Sequence, residues 1–447
     1  MTTTSKLPEA FLKRIEKQFP AHFEAILKGF NSNLTTAIQH NFYTGKTSRV
    51  LPGNPFGEVL EERPNFAHDP HWHAGAYYVQ EASSQHLYAL VKQAIAHLDE
   101  PLVADFCAAP GGKSLTALNA MEGRGVLWSN EIISSRANVL RENISKWGHG
   151  NSIVSSCSTE DLAEMGAQFD LILVDAPCSG EGMFRRDQIA IDEWKPELPL
   201  LCAERQESIL DNAVACLKPG AYLLYSTCTM AQEENQDQVR RLVHRYGMNV
   251  ISLEDQNWGA FQLSEGALFT PGAQRGEGLF FCLMQKPNGN EMGLHVAQKK
   301  GIALMSKKAK LEVQAHLPQV NLEGHELFES SAHVRAIPEH MLPLLNIAKQ
   351  LRIPILQAGF ALGLEKSGKW IPAHELAILK AQKADLPEVA LDYEQAITYL
   401  MLNDPKVEGK GWTIATFEGS RLGWLKCIGN RNNNYYPKQW KLRKGIE

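Results

Sequence analysis

The chain has 447 residues, an ordinary globular composition and a formal net charge of −5. That length allows roughly two to four domains, and the negative total excludes a generic polyanion binder that works through overall charge. Eight cysteines dispersed over so long a chain, with no pair of CxxC half-sites, exclude both a compact disulfide framework and a zinc ribbon, and point to reduced thiols.

Charge is unevenly divided. The part up to Pro287 carries about −10 and the remainder about +5. Met1–Lys6 has no apolar signal core, and no apolar run is long enough to cross a membrane, so a cytoplasmic, membrane-free protein is expected.

In chain order, Leu7 to Gly29 has helical spacing (Phe11, Leu12, Ile15, Phe19, Phe23, Ile26, Leu27), interrupted at Pro20. Asn31 to Asn41 reads as a further helix. Val50 to Pro70, rich in Pro, Gly and Asn, reads as a connector. Asp69, His71 and His73 lack the further ligands a metal site needs and read as a surface or substrate-lining cluster, so no metal is expected. Tyr77–Val79 is a short strand, and Ser83 or Ser84 is placed to cap a helix from Gln85 to His97.

Leu102–Cys107 is strand-like. Ala108-Ala109-Pro110-Gly111-Gly112-Lys113 is a tight turn, followed by a helix from Ser114 to Met121. Small residues let a ligand approach the backbone, and a helix N-terminus offers N–H groups. The turn matches neither GxxxxGK[ST] nor GxGxxG, so spacing alone leaves open a nucleotide-like ligand or a structural turn. The next strand, Gly125–Glu131, ends in a carboxylate at the distance where α/β folds place an acid on a ribose.

Further strands are expected at Ser152–Ser155, Phe169–Val174, Ala221–Tyr225, Met248–Leu253 and Gly278–Met284. Helices are expected at Ile132–Trp147, Leu200–Leu217 and Glu233–Tyr246. The alternation is that of an α/β fold with a mainly parallel sheet. Two cysteine motifs follow apolar strands: Asp175-Ala176-Pro177-Cys178-Ser179-Gly180 and Ser226-Thr227-Cys228-Thr229. Strand ends of this kind open into the ligand crevice, so two thiols and a carboxylate share one rim.

Gln298–Lys310 is Lys-rich and reads as linker. Gly411–Phe417 and Arg421–Ile428, around Glu418-Gly419-Ser420, read as a β-hairpin. From Arg421 onward, Lys426, Arg431, Lys438, Lys441, Arg443 and Lys444 alternate with Trp424, Tyr435, Tyr436 and Trp440. Cations neutralise phosphates and aromatic faces stack on unpaired bases, which points to RNA.

Asp105-Phe106-Cys107-Ala108-Ala109-Pro110-Gly111-Gly112-Lys113, Asp175 to Gly182 and Ser226-Thr227-Cys228-Thr229 together resemble the signatures of the Nol/Nop/Sun-type RNA cytosine-5 methyltransferases. Tyr77-Tyr78-Val79-Gln80-Glu81 is similar to the segment that precedes their catalytic domain. Gly423-Trp424-Leu425-Lys426 and Tyr436–Trp440 resemble the PUA-like module of bacterial members that modify small-subunit ribosomal RNA.

The resemblance implies a small helical N-terminal unit (residues 1–70) and a Rossmann-like methyltransferase domain (71–287). A linker (288–330) and a C-terminal region with a PUA-like α+β module (331–447) complete it. It implies S-adenosylmethionine as methyl donor, with Cys107, Ala108, Ala109, Pro110, Gly111, Gly112 and Lys113 along its methionine and sugar part, Glu131 at the ribose and Asp175 nearby. No acid follows the third strand where the family places one near the adenine, so Ser156 to Ser158 are the groups available there.

The resemblance further implies that Cys228 adds to carbon 6 of a cytosine, that Asp175 steadies ring nitrogen 3, and that Cys178 serves product release. A thiolate at carbon 6 makes carbon 5 nucleophilic, which is why this chemistry needs a cysteine. Lys113 is placed to favour a nearby thiolate. The substrate implied is 16S ribosomal RNA or the small subunit, acted on by a monomer. Transfer RNA, or a non-catalytic ribosome-assembly role, is the alternative. The target base must be unpaired or flipped, and Arg185 and Arg186 are candidates for contacting the RNA backbone.

Overall fold

The computed structural model describes residues 7–45, 47, 50–253, 258–289, 301–330, 333–381, 384–429 and 431–443. Met1–Lys6, residues 298–300 of the Lys-rich stretch and Lys444 lie outside the described residues.

Five parallel strands form the centre of the main sheet, in the spatial order Leu217–Thr227, Phe169–Asp175, Leu102–Asp105, Val126–Asn130, Ser152–Ser155. Their side chains alternate between two cores. Ala104, Trp128, Ile153 and Ile172 enter one, while Val103, Leu127, Val154, Leu171 and Leu173 enter the other. Cover on both faces is why these strands are continuously apolar. The chain order reverses between Leu102–Asp105 and Phe169–Asp175, and such a switch point opens a ligand crevice at the strand C-termini.

The sheet's edges are antiparallel. Leu279–Gln285 pairs with Leu217–Thr227, Gly266–Phe269 and Phe261–Leu263 continue outward, and only Asn249–Val250 of the strand expected at Met248–Leu253 forms. At the other edge, Ile355–Ala358 pairs with Ser152–Ser155. A strand from the C-terminal region thus completes the sheet of the catalytic region.

The two N-terminal helices, Glu9–Gln18 and Phe23–Phe30, bury Phe11, Ile15, Ile26 and Phe30 in that same core. The helix expected over Asn31–Asn41 is instead the strand Thr36–His40. It lies between Asn54–Leu60 and Tyr77–Val79, so pairing on both sides overrides local propensity. The stretch read as a connector contributes Val50–Leu51 and Asn54–Leu60, joined at Gly53 with φ +77°. The helix expected from Gln85 is two pieces, Ala82–Gln85 and Leu87–Ala94. Glu81, rather than Ser83 or Ser84, caps the first by accepting from both of their N–H groups at 2.8 and 2.5 Å.

Of the Lys-rich stretch read as linker or surface, Lys307–Lys310 open the helix Lys307–His316, with Lys307 and Lys308 exposed. His325–Ser330 pairs with His333–Pro338, so a boundary at residue 330 falls inside a hairpin. The hairpin Gly411–Phe417/Ser420–Ile428 forms as expected, flanked by Glu388–Ala390 and Arg431–Asn434. His71 and His73 join the C-terminal region to the rest of the chain: His71 bonds Ser420 Oγ (3.0 Å) and Glu418 (3.1 Å), and His73 bonds Tyr436 Oη (3.1 Å). No described helix is long and apolar enough to cross a membrane.

Candidate active site

The turn after Leu102–Asp105 is held from outside. Ala108 N–H donates to Asn130 O at 2.9 Å, Arg136 donates to Ala109 O at 2.8 Å, and Asn143 donates to Pro110 O at 2.8 Å. The Ala109–Pro110 peptide is cis. Gly111 has φ +123°, a conformation side chains resist. A Cβ on Gly112 would meet Gln80 at 3.3 Å and Tyr78 at 3.4 Å. Gly112 also opens the helix Gly112–Met121. Together they bring an open stretch of backbone to a helix N-terminus, whose N–H groups suit the anionic carboxylate of S-adenosylmethionine in polarity.

Glu131 is 4% exposed. Its carboxylate accepts from Ile133 N–H at 2.9 Å and lies 3.3 Å from Arg136, which ties it to the same turn. Cys107 lies beside both, and burial with the charges of Asp105, Asp175 and Glu131 pushes its thiol well up. Asp105, at the strand end, is pushed up to about 7, first by burial and then by Asp175, against a hydrogen bond from Ser114 at 2.7 Å. After the third strand, the N–H groups of Ser156, Cys157 and Ser158 are already committed to Pro354 O, Asn130 and Asp161. Ser158 Oγ caps the helix Thr159–Ala163. Cys157 Sγ and O are also bonded to Asn130, so these bonds leave the Ser156 hydroxyl and carbonyl uncommitted.

Lys113, in the first turn of its helix, reaches to the neighbouring strand and pairs with Asp175 at 2.7 Å. Burial pulls the ammonium down, but Asp175, Glu81 and Cys228 outweigh it and the net shift is upward. The other Asp175 oxygen accepts from Ser226 at 3.0 Å. This pair connects the glycine turn to the two cysteines.

Cys178 and Cys228 are fifty positions apart in sequence, yet their sulfurs are 3.1 Å apart. Asp175 and Ser226 stand opposite each other on adjacent parallel strands, so the two loops leave the sheet side by side. Gly182 N–H then donates to Cys228 O at 2.6 Å, and a Cβ at Gly182 would come within 2.9 Å of that oxygen. Hydrogen bonding to Cys228, then burial, pushes the Cys178 thiol well up. Cys178 is therefore favoured as S–H, in contact with the Cys228 sulfur.

Two carboxylates to which the sequence assigned no role support these loops. Glu181, fully buried, accepts from Met230 N–H (3.1 Å), Trp194 Nε1 (3.2 Å) and Arg14 of the first helix (2.5 Å). Glu234, also fully buried, accepts from Ser179 N–H (2.9 Å), Ser179 Oγ and Gln206 (2.9 Å). Burial raises it to about 7. Its sequence neighbourhood, Glu233-Glu234-Asn235, reads as an exposed helix start, but the helix begins at Gln236.

Arg185 and Arg186 do not face solvent as a pair. Arg185 is buried and binds Glu277 (3.0 Å), Gly276 O, Ser32 and Asn33 O, and Arg186 also pairs with Glu277. In the C-terminal region Trp424 and Tyr436 are core residues and Arg421 pairs with Glu388. Tyr435 remains exposed, and Lys426 lies over Trp412 at 4.9 Å.

Residues 92–285 match the family model described as 16S rRNA methyltransferase RsmB/F, and residues 386–442 match that of the methyltransferase RsmF PUA domain. The ribosomal RNA small subunit methyltransferase F of Aliivibrio fischeri (strain MJ11) is 33% identical over 82% of this chain and 79% of its own length. That of Klebsiella pneumoniae (strain 342) is 30% identical over 98% and 97%. Among solved structures, a methyltransferase homologue from Pyrococcus horikoshii aligns with a TM-score of 0.50 and 24% identity over 60% of this chain and 92% of its own. NSun6 from the same organism, solved with SFG, gives 0.53 and 17% over 63% and 99%.

Proposed function

The chain belongs to the family of ribosomal RNA small subunit methyltransferase F, and from that premise we propose that it methylates carbon 5 of a cytosine in 16S ribosomal RNA through a covalent bond to Cys228. The observation that carries this reading is the 3.1 Å approach of two reduced thiols beside the Lys113–Asp175 pair.

When bound at the turn from Cys107 to Lys113, with Glu131 on its sugar, S-adenosylmethionine supplies an electrophilic methyl group. Cys228 adds to carbon 6 of the cytosine, which leaves carbon 5 electron-rich. The Lys113–Asp175 pair offsets the negative charge that this addition pushes towards ring nitrogen 3. Once carbon 5 carries the methyl group, its proton passes to a solvent water, the freed electron pair restores the carbon 5–carbon 6 double bond, and the carbon 6–sulfur bond breaks to release Cys228 as thiolate. Cys178, favoured as S–H, donates a hydrogen bond to the departing Cys228 sulfur. The PUA-like module, with Tyr435 exposed and Lys426 half-buried over Trp412, supports an RNA substrate.

The test is incubation with 16S ribosomal RNA and S-adenosylmethionine, followed by denaturing gel electrophoresis and bisulfite sequencing. Cys228→Ala abolishes methylation and gives no adduct, whereas Cys178→Ala accumulates a shifted protein–RNA band. Full turnover by Cys228→Ala would sink the assignment.

A further inference from the structure

Two thiols on separate loops stay in contact only if something fixes the loops to one another, because thermal motion at a strand end easily exceeds the tolerance of a sulfur–sulfur contact. The Cys228 loop is tied to the far end of the Cys178 motif and to its own following turn. Gly182 N–H binds Cys228 O (2.6 Å), Glu181 binds Met230 N–H (3.1 Å), and Asn235 binds Thr229 O (2.9 Å). The residues on either side of Cys178, Pro177 and Ser179, are held through one carboxylate.

Glu234 holds that loop on both sides of the cysteine. After it, Ser179 gives both its N–H and its hydroxyl to Glu234. Before it, Gln206 donates to both Pro177 O (3.0 Å) and Glu234 (2.9 Å). Tyr225 orders the arrangement from below by donating to Gln206 Oε1 (3.1 Å) and Glu234 O (2.5 Å). The Ser179 hydroxyl lies 3.0 Å from that of Thr229, which follows Cys228. Among the described residues no cation pairs with Glu234. A fully buried carboxylate without a counter-charge is costly, and a fold retains it where its acceptors hold something in place.

We propose that Glu234 is a positioning residue for the second half of the reaction, holding the Cys178 thiol against the Cys228 sulfur so that the product can leave. The inference rests on the covalent reading above. Without Glu234 the residues flanking Cys178, Pro177 and Ser179, loosen, while Cys228 keeps its bonds to Gly182 and, through Met230, to Glu181, and still attacks.

Turnover and adduct are measured together for Glu234→Ala, Glu234→Gln, Ser179→Ala and the Cys178→Ala control, with 16S ribosomal RNA and S-adenosylmethionine. Glu234→Ala lowers turnover on the order of 100-fold and accumulates the shifted band seen with Cys178→Ala. A purely structural loss would remove the band along with the turnover. Glutamine can accept from Ser179 N–H and Gln206 through its oxygen and donate to Ser179 Oγ through its nitrogen, so Glu234→Gln recovers most of the turnover and gives no band. Should Glu234→Ala fail to fold, Ser179→Ala carries the test and accumulates adduct.

A band with Cys178→Ala but none with a folded Glu234→Ala or Ser179→Ala overturns the proposal, as does a Glu234→Gln protein as slow as Glu234→Ala. Absence of the band in Cys178→Ala itself overturns the covalent reading instead, which separates the two failures.

Discussion

Arg185→Met tests whether a cation beside the reaction centre serves the fold or the RNA. The Arg185 side chain is 2% exposed and Glu277 6%. It donates to Glu277 at 3.0 Å, Gly276 O at 2.8 Å, Ser32 O at 3.0 Å and Asn33 O at 3.0 Å. Methionine keeps the aliphatic stem but leaves two carbonyls, Ser32 O and Asn33 O, and part of a carboxylate without donors, while Gly276 O keeps its bond from Gly272 N–H at 2.9 Å. Breaking one side of a buried ion pair costs about 3–5 kcal/mol. Arg186 still holds Glu277 at 2.9 Å, so the lower end of that range, about 3 kcal/mol, is expected.

Urea denaturation followed by tryptophan fluorescence reads that loss. RNA affinity, measured across a salt series in the same protein, keeps its slope, because all the donors used are turned inward. An arginine bound to a phosphate of single-stranded RNA would instead reduce the slope of log K against log salt by about 0.7 on substitution. Stability within about 0.5 kcal/mol of the native protein, together with a slope reduced by that amount, would refute the structural assignment.

Three further outcomes follow from the same geometry. Lys113→Met removes the partner of Asp175. Charges 2.7 Å apart attract by about 6 kcal/mol at an effective dielectric of 20, desolvation and the partial exposure of Asp175 leave about 2 kcal/mol, and methyl transfer slows about 30-fold in single-turnover assays. Glu234 takes up its proton at about 7 in the folded chain, against an ordinary 4.5. The native state therefore binds the extra proton between these values, its contribution is fully present below the ordinary value, and it is lost as pH rises through about 7. Denaturation of the native protein compared with Glu234→Gln, from about pH 5 to about pH 8, should show the native protein losing about 3 kcal/mol relative to the variant. Finally, Trp424→Ala, at a side chain 2% exposed that donates to Ala373 O at 2.8 Å, costs about 3–5 kcal/mol of stability. Tyr435→Ala leaves stability nearly intact and weakens RNA binding by about 1 kcal/mol in a filter-binding assay.

The central strands were legible because their signal is local. A strand covered on both faces must be apolar at every position, and Leu171–Val174 or Leu223–Tyr225 shows that without any knowledge of its neighbours. The glycine turn was legible for a similar reason, since Gly111 at φ +123° and the crowded Gly112 tolerate few other residues. Thr36–His40 was not. Its strand form depends on Asn54–Leu60 and Tyr77–Val79 lying on either side, and five residues carry too little periodicity to announce that.

The site divides along the same line. Residue types placed two thiols, an acid and a glycine turn on one rim, and the resemblance of those motifs, taken together, to a known family led to the expectation of a methyltransferase centre. Tertiary structure decided how those groups act on one another. Adjacent parallel strands bring Cys178 to 3.1 Å from Cys228, and Lys113 crosses to Asp175. Arg185 turns inward to Glu277, and Ile355–Ala358 closes the sheet from some two hundred residues downstream. A charged residue such as Glu234 reads as surface wherever it occurs, because solvation is its default. Only the packed chain, by removing water and supplying Ser179 and Gln206, makes it a buried clasp on the cysteine loop.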